Sequence, residues 1–474
     1  MNIHERLAAL GVAVPDVLLP GPLTALEKWA VIACDQFTQD RAFWSQAEQA
    51  VGTAPSALRL IFPEVYLEDG GRPERIAAIH RAMKNYLADG VFAPPRRCCV
   101  YIERATPCHP LRRGLVIAVD LERYDWSPGA KPLIRATEGT VRERIPPRME
   151  IRRDAPLESP HILLLIDDET DSLLPALGRR AQAPLYKTDL SPNAGSVSGW
   201  ALDAEADWEL LACGLEDLAR RAERRYGESG GEPFLFAMGD GNHSLATAKA
   251  VWEEYKTAHA GEQGLENHPA RWALVELENL YDPGIAFEPI HRIVFGVGLD
   301  EILEVLSALP GFSAVPIGVP PVGDTQRAAH GDTGGDSTEL SRMVGDAQAA
   351  KNRLGLIAGT TAILVESDAP GLATGYLQPL LDAFVRKRQD RRNGGVQTAI
   401  DYIHGEEELF RLAAADGAVS PDGSGPAVGI LLPPIRKGGL FETVARSGAL
   451  PRKSFSMGGA CEKRFYLECR KLFG

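Results

Sequence analysis

Residues Phe234 to Tyr255, FLFAMGDGNHSLATAKAVWEEY, constrain the chain more than any other stretch. Five mostly apolar residues, Phe234 to Met238, predict a buried strand. Leu245, Ala248, Trp252 and Tyr255 recur at the spacing of one helix face. Between them Gly239, Asp240, Gly241, Asn242 and His243 form a tight polar corner. A strand, a glycine corner and a helix together present backbone N–H groups and a positive helix end to an anion. Asp240 adds an acceptor at that corner and His243 a titratable ring. Plainer accounts fit the same residues. Asp-Gly is a hairpin signal, and Asn242 or Ser244 could serve only as the helix N-cap. The spacing matches neither a Walker loop nor the three-glycine dinucleotide fingerprint.

Composition narrows the function classes. The chain has 474 residues, 45% of them hydrophobic and 24% charged, enough for two or three domains with a large core. Its formal charge of 51 minus 64, or −13, disfavours a general nucleic-acid binder, which carries a basic face. The seven cysteines form no CxxC pair, which predicts free thiols in a reducing cytoplasm. The N-terminus MNIHERLAALGV has charges where a signal peptide needs its apolar run, and no apolar stretch is long enough to span a bilayer.

Other segments carry candidate chemistry. Trp29 to Cys34 predicts a buried strand with Asp35 at its end, where Asp35 could bind a ligand or cap the next helix. LIRATEGTVRERIPPR, 133–148, places Arg135, Glu138 and Thr140 in a charged turn, with Pro146 and Pro147 stopping any helix. This stretch reads either as a phosphate or carboxylate clamp or as a salt-bridged turn. HILLLIDD, 161–168, is a strand ending in two acids that fit a cap better than a metal site. FEPIHRIVF, 287–295, puts His291 and Arg292 inside an apolar strand, on opposite faces. The tail carries Lys453 and a second basic group that includes Lys463 and Arg464. Residues 185–200 are loop-rich and predict a boundary between an N-terminal α/β domain, 1–195, and a C-terminal α/β domain, 196–474. Residues 314–340, rich in Gly, Pro, Asp and Thr, predict a flexible surface excursion in the latter.

Taken together, WAVIACDQFT, LRLIFPEVYLE, IRATEGTVRERIPPR, GDGNHSLATA, EPIHRIVF, IDYIHGEEE and LPRKSFSMG resemble a bacterial and archaeal family known as domain of unknown function 1015. The family's central motif usually reads Asp-Gly-His-His-Arg. Asp240, Gly241 and His243 match it, and Ser244 stands where an Arg is usual. The motif is also similar to the phosphate-binding corner of the ParB, sulfiredoxin and free serine kinase group. That resemblance implies a mixed α/β fold (α+β) with mixed sheets and a ParB/sulfiredoxin-like phosphate-binding element at 234–255.

The implied function is a nucleotide-binding phosphotransferase acting on a small hydroxyl metabolite such as free serine, with ATP or ADP and Mg²⁺ as cofactors. Glu138, Asp240 and His243 would be catalytic. Asp35, Arg135, Thr140, Gly239, Gly241, Asn242, His291, Arg292 and Lys453 would bind substrate or phosphate, and Asp240 would hold the metal. A nucleotide-gated binding protein without turnover and a metal-dependent hydrolase are the alternatives. The expected partners are small molecules, with neither nucleic acid nor membrane, and the oligomeric state, a homodimer included, stays open.

Overall fold

The computed structural model describes residues 1–38, 40–227, 231–318, 337–346, 348–390, 398–413 and 426–473. The chain forms two compact units. The first comprises Met1–Ala286, Val444–Ala449 and Met457–Gly474, and the second Phe287–Thr443 and Leu450–Ser456.

The first unit is built on a nine-stranded mixed sheet. Its strands are β1 (Val12–Ala13), β2 (Cys99–Ala105), β3 (Arg112–Asp120), β4 (Ile134–Arg135), β5 (Leu163–Ile166), β6 (Pro184–Asp189), β7 (Ser196–Leu202), β8 (Phe236–Asp240) and β9 (Trp272–Asn279). They lie in the order β6-β7-β2-β3-β9-β5-β8-β4, with β1 beside β3. The β9–β5 and β8–β4 pairs are parallel, and the others are antiparallel. Leu115 to Val119 are all buried, because this central strand is covered on both faces and so needs a continuous apolar run. Two long helices pack their apolar stripes into the same core. Glu205–Tyr226 buries Leu211, Leu215 and Leu218, and Asn242–Ala258 buries Leu245, Ala248, Val251 and Trp252.

The second unit holds an antiparallel sheet of β10 (Phe287–Phe295), β11 (Ser313–Gly318), β12 (Asn352–Ala358), β13 (Thr361–Ser367), β14 (Ala399–His404) and β15 (Ala427–Leu431), in the order β11-β13-β12-β15-β10-β14. Successive residues of β10 feed opposite faces. Ile293 enters one apolar cluster with Leu364 and Leu431, and Val294 enters another with Leu356 and Ile430. Pro316 lies on the edge strand β11, where no second ladder needs its missing N–H.

Several expectations change. The division at 195/196 falls inside the first unit, because residues 184–202 form the hairpin β6–β7, whose second strand pairs with β2. Tyr186 and Thr188 are buried while Lys187 and Asp189 are exposed, a period-2 pattern that the polar residues of the turn obscure in the sequence. Pro146 and Pro147 do not stop a helix but open one, Ile145–Arg152. The first turn has no intrahelical use for their missing N–H groups. The strand expected at Trp29–Cys34 is a helical turn, Leu26–Trp29, followed by Val31–Ile32, which pairs with Phe465–Tyr466. Of the excursion expected at 314–340, residues up to Gly318 belong to β11 and Ser337–Val344 is helical. The stretch 319–336 lies outside the described residues.

The C-terminal segment is tied into the first sheet by buried charge. Arg464 pairs with Glu276 of β9 and with Glu468, and its Nε donates to the Pro160 carbonyl at 2.9 Å. All seven cysteines are free thiols. No helix among the described residues is long and apolar enough to cross a membrane. Arg464→Met should lower stability by about 3–5 kcal/mol, the usual cost of leaving buried carboxylates without their partner. Denaturant unfolding followed by far-UV dichroism measures this. A midpoint equal to that of the wild type would show that these pairs add nothing net to the fold.

Candidate functional site

Strand β8 delivers the chain to Gly241, whose φ of +76° lies in the left-handed region, and the helix Asn242–Ala258 starts at the next residue. A Cβ at Gly241 would also stand 3.0 Å from the Ile162 Cα, so both conformation and space call for glycine. A Cβ at Gly239 would meet the Met457 Sδ at 2.6 Å and the Leu163 carbonyl at 3.2 Å. Asp240, between them, accepts from the Gly241 N–H at 2.8 Å, and its other oxygen lies 3.0 Å from the Lys463 ammonium. Burial alone would raise the Asp240 carboxyl. Lys463 outweighs it and, with the Gly241 N–H, holds the group below the usual carboxylate range.

The loop 137–141 is laced onto this corner. Asn242 Nδ2 donates to the Glu138 carbonyl at 3.1 Å and to Thr140 Oγ1 at 3.0 Å, and the Tyr124 hydroxyl donates to Asn242 Oδ1 at 3.4 Å. Thr137 Oγ1 donates to the Met238 carbonyl at 2.7 Å. The Val141 N–H donates to His243 Nε2 at 3.3 Å. An imidazole accepting at Nε2 is neutral and carries its proton on Nδ1. Its environment favours that form, since burial and then the nearby Arg148 and Arg144 push His243 down to about 4. His243 is therefore an uncharged N–H donor near neutral pH.

Asp35, Glu138, Thr140, Gly239, Asp240, Gly241, Asn242 and His243 are all in the first unit. Asn242 joins the Glu138 carbonyl and Thr140 directly, and His243 joins the same loop through the Val141 N–H. Asp35 lies 3.9 Å from His161 Nε2. Arg135 is engaged elsewhere. Its guanidinium donates to the Pro132 and Glu232 carbonyls, at 3.1 and 3.3 Å, and stacks on Phe234 at 4.7 Å. His291, Arg292 and Lys453 belong to the second unit. His291 is buried and accepts from the Leu432 N–H at 3.1 Å, and burial lowers it to about 4. Arg292 is fully buried, donates to Gln378 at 2.7 Å and stacks on Tyr402 at 4.6 Å. Asp168 acts as a cap, accepting from the Ser172 and Leu173 N–H groups at 2.7 and 2.9 Å. Among the described residues no three His, Cys, Asp or Glu side chains cluster as metal ligands.

Four residues at this site are not among the sequence candidates. Lys463 reaches Asp240. His161 joins Ser244 Oγ to its Nε2 at 2.8 Å and the Tyr466 hydroxyl to its Nδ1 at 2.7 Å. The Tyr466 oxygen also receives the Cys34 N–H at 3.2 Å. The available signal was the pairing of a His at the head of HILLLIDD with the polar tail CEKRFYLE, but nothing local places those segments side by side.

Gly241→Val should cost about 1–3 kcal/mol, as a branched residue is forced to positive φ against Ile162. A fall in melting temperature measures it, and an unchanged value would mean the corner relaxes freely. His243 supplies a pH signature. The unfolded chain takes up a proton on this ring below its ordinary value of 6.5, the folded chain only near 4, so stability should fall as pH drops through that interval. His243→Gln should flatten this part of the stability–pH curve. An identical slope in the variant would show that His243 does not titrate as its surroundings require.

In structure the chain is similar to a conserved hypothetical protein from Pyrococcus furiosus, with a TM-score of 0.32 and 11% identity over 76% of this chain and 95% of that one. It is also similar to free serine kinase in complex with AMP, with a TM-score of 0.35 and 11% identity over 75% of this chain and 92% of that one. SbnI with a C-terminal truncation, from Staphylococcus aureus, gives a TM-score of 0.32 and 11% identity over 73% and 83%. No curated protein matches the chain. The sequence profile of the family described as "Protein of unknown function (DUF1015)" matches residues 21–384, and the chain belongs to that family.

Proposed function

We propose that the corner at 239–243 binds the phosphates of a nucleotide and that the protein transfers a phosphoryl group to a small hydroxyl metabolite. One observation carries the reading: Asn242 and His243 open a 17-residue helix directly after a left-handed glycine, with their side chains fixed by the loop 138–141. The first N–H groups of a helix have no intrahelical acceptor, and the helix dipole adds positive potential there. A phosphate oxygen is the natural acceptor, and His243 Nδ1 would add one neutral donor. Lys463 supplies the positive charge that the sequence reading assigned to Arg135. Phosphoryl transfer depends chiefly on positioning and charge neutralisation, which suits a site of fixed donors.

A bound nucleotide would supply the phosphoryl group. Glu138 and Asp240 are the carboxylates that would hold Mg²⁺ or receive the acceptor's proton, and Mg²⁺ bound mainly through phosphates needs only one or two such groups. Asp240 also favours the second reading, a nucleotide-gated binding protein without turnover. Held by Lys463 and the Gly241 N–H, it is a weak base. Release of ADP under steady-state conditions separates the two. Free serine is the acceptor that the family resemblance implies.

A thermal-shift screen of ATP, ADP and AMP, with and without Mg²⁺, tests the shared premise. A ligand at about 100 times its Kd stabilises by about 2.7 kcal/mol. His243→Ala should weaken the nucleotide at least tenfold, about 1.4 kcal/mol. Ser244→Arg should tighten it, more so at low salt, because it adds positive charge to the first turn of the helix that would hold phosphate. A flat screen on folded wild-type protein would end both readings.

A further inference from the structure

Beside the corner lies a cavity of about 150 Å³, with Ser244, His161 and Tyr466 in its wall. Much of its remaining lining is apolar, including Phe62, Met83, Ile151 and Leu274. Four charged side chains also reach it, and they are paired with one another, Arg148 with Glu64 and Arg152 with Glu158. Thr247, on the helix wall, donates its hydroxyl to the His243 carbonyl at 2.7 Å. The polar groups arranged as a chain are thus Ser244 Oγ, His161 and the Tyr466 hydroxyl.

We propose that this cavity is a binding site for a small neutral alcohol with a benzene-sized apolar body, whose hydroxyl hydrogen-bonds to the Ser244–His161–Tyr466 chain. The volume equals that of an apolar protein cavity that takes up benzene. A zwitterion such as free serine would have to give up the hydration of two charges against walls whose own charges are already matched. A neutral molecule loses only one hydroxyl's water contacts and regains them from the Ser244 or Tyr466 hydroxyl at the two ends of the chain. The proposal rests on the phosphoryl-transfer reading only in naming this alcohol as the acceptor, and binding itself can be measured without nucleotide.

The full-length protein is titrated calorimetrically with benzyl alcohol, toluene, L-serine and, separately, ADP. Benzyl alcohol should bind saturably, toluene at least tenfold more weakly because it leaves the polar chain unanswered, and L-serine without saturation. Ala155, a buried residue of the cavity wall, provides the control. Ala155→Leu fills the space and should weaken benzyl alcohol at least tenfold while leaving ADP affinity unchanged. Leu60→Phe, from another part of the lining, serves the same purpose if the first variant does not fold. Benzyl alcohol binding that responds to these substitutions, with no binding of ADP, would uphold the cavity and remove the phosphoryl-transfer reading. Saturable L-serine binding without benzyl alcohol binding, or benzyl alcohol binding indifferent to both substitutions, would overturn the proposal.

Discussion

Arg464 is the charge on which the first unit's site depends. It is buried, and it holds three things at once: Glu276 of the sheet, Glu468 four residues along the tail, and the Pro160 carbonyl. Pro160 immediately precedes His161, and Lys463 immediately precedes Arg464. One buried guanidinium thereby fixes the backbone that carries His161 and the backbone that carries Lys463 and Tyr466. A single anchored arginine suits this task because its planar fork satisfies several acceptors in fixed directions.

The same segment is stapled from the other side. Arg104 donates to the Cys461 and Glu462 carbonyls at 2.6 and 3.2 Å, and Arg112 donates to the Glu462 carbonyl at 2.8 Å. Arg470 pairs with Glu158 and donates to the Pro269 carbonyl at 2.9 Å. Lys463, Arg464 and Arg470 of the tail are therefore internal cross-links. Burying so much charge is costly unless each ion finds partners, and the partners come from strands remote in sequence. What results is a rigid setting for the corner, with Asp240, Asn242 and His243 all engaged before any ligand arrives. Such preorganisation suits the anion binding proposed for this corner, because the donors would not need to be reoriented at the moment of binding.

Much of the architecture was legible from residue patterns. The apolar runs at 161–168 and 287–295 lie on the strands Leu163–Ile166 and Phe287–Phe295, and the period-3.6 stripe from Leu245 to Tyr255 lies on the helix Asn242–Ala258. Legibility failed where local chemistry pointed both ways. The polar turn at 190–195 hid the hairpin on either side of it, and the two prolines at 146–147 read as a stop when the helix uses them as a start. At the site, Gly241 and the Asn242–His243 pair were legible because positive φ and a helix start leave a mark in neighbouring residues. Arg135 misled, since a basic residue in a cationic stretch looks like a clamp whether it faces a ligand or a pair of backbone carbonyls.

By itself the sequence determined the strand–glycine–helix corner, the freedom of the thiols to remain unpaired, and the family to which the chain belongs. These follow from short-range rules or from motifs kept in order along the chain. Only the tertiary structure decided that Lys463 faces Asp240, that His161 stands between Ser244 and Tyr466, and that a cavity opens beside them. It also decided that His291 and Arg292 serve the interior of another unit. The physical reason is range. Backbone conformation is set by a residue and its near neighbours. A side chain's partner is set by which distant strands come to lie side by side, and here the sequence separation of 305 between His161 and Tyr466 keeps that pairing out of reach of any local pattern.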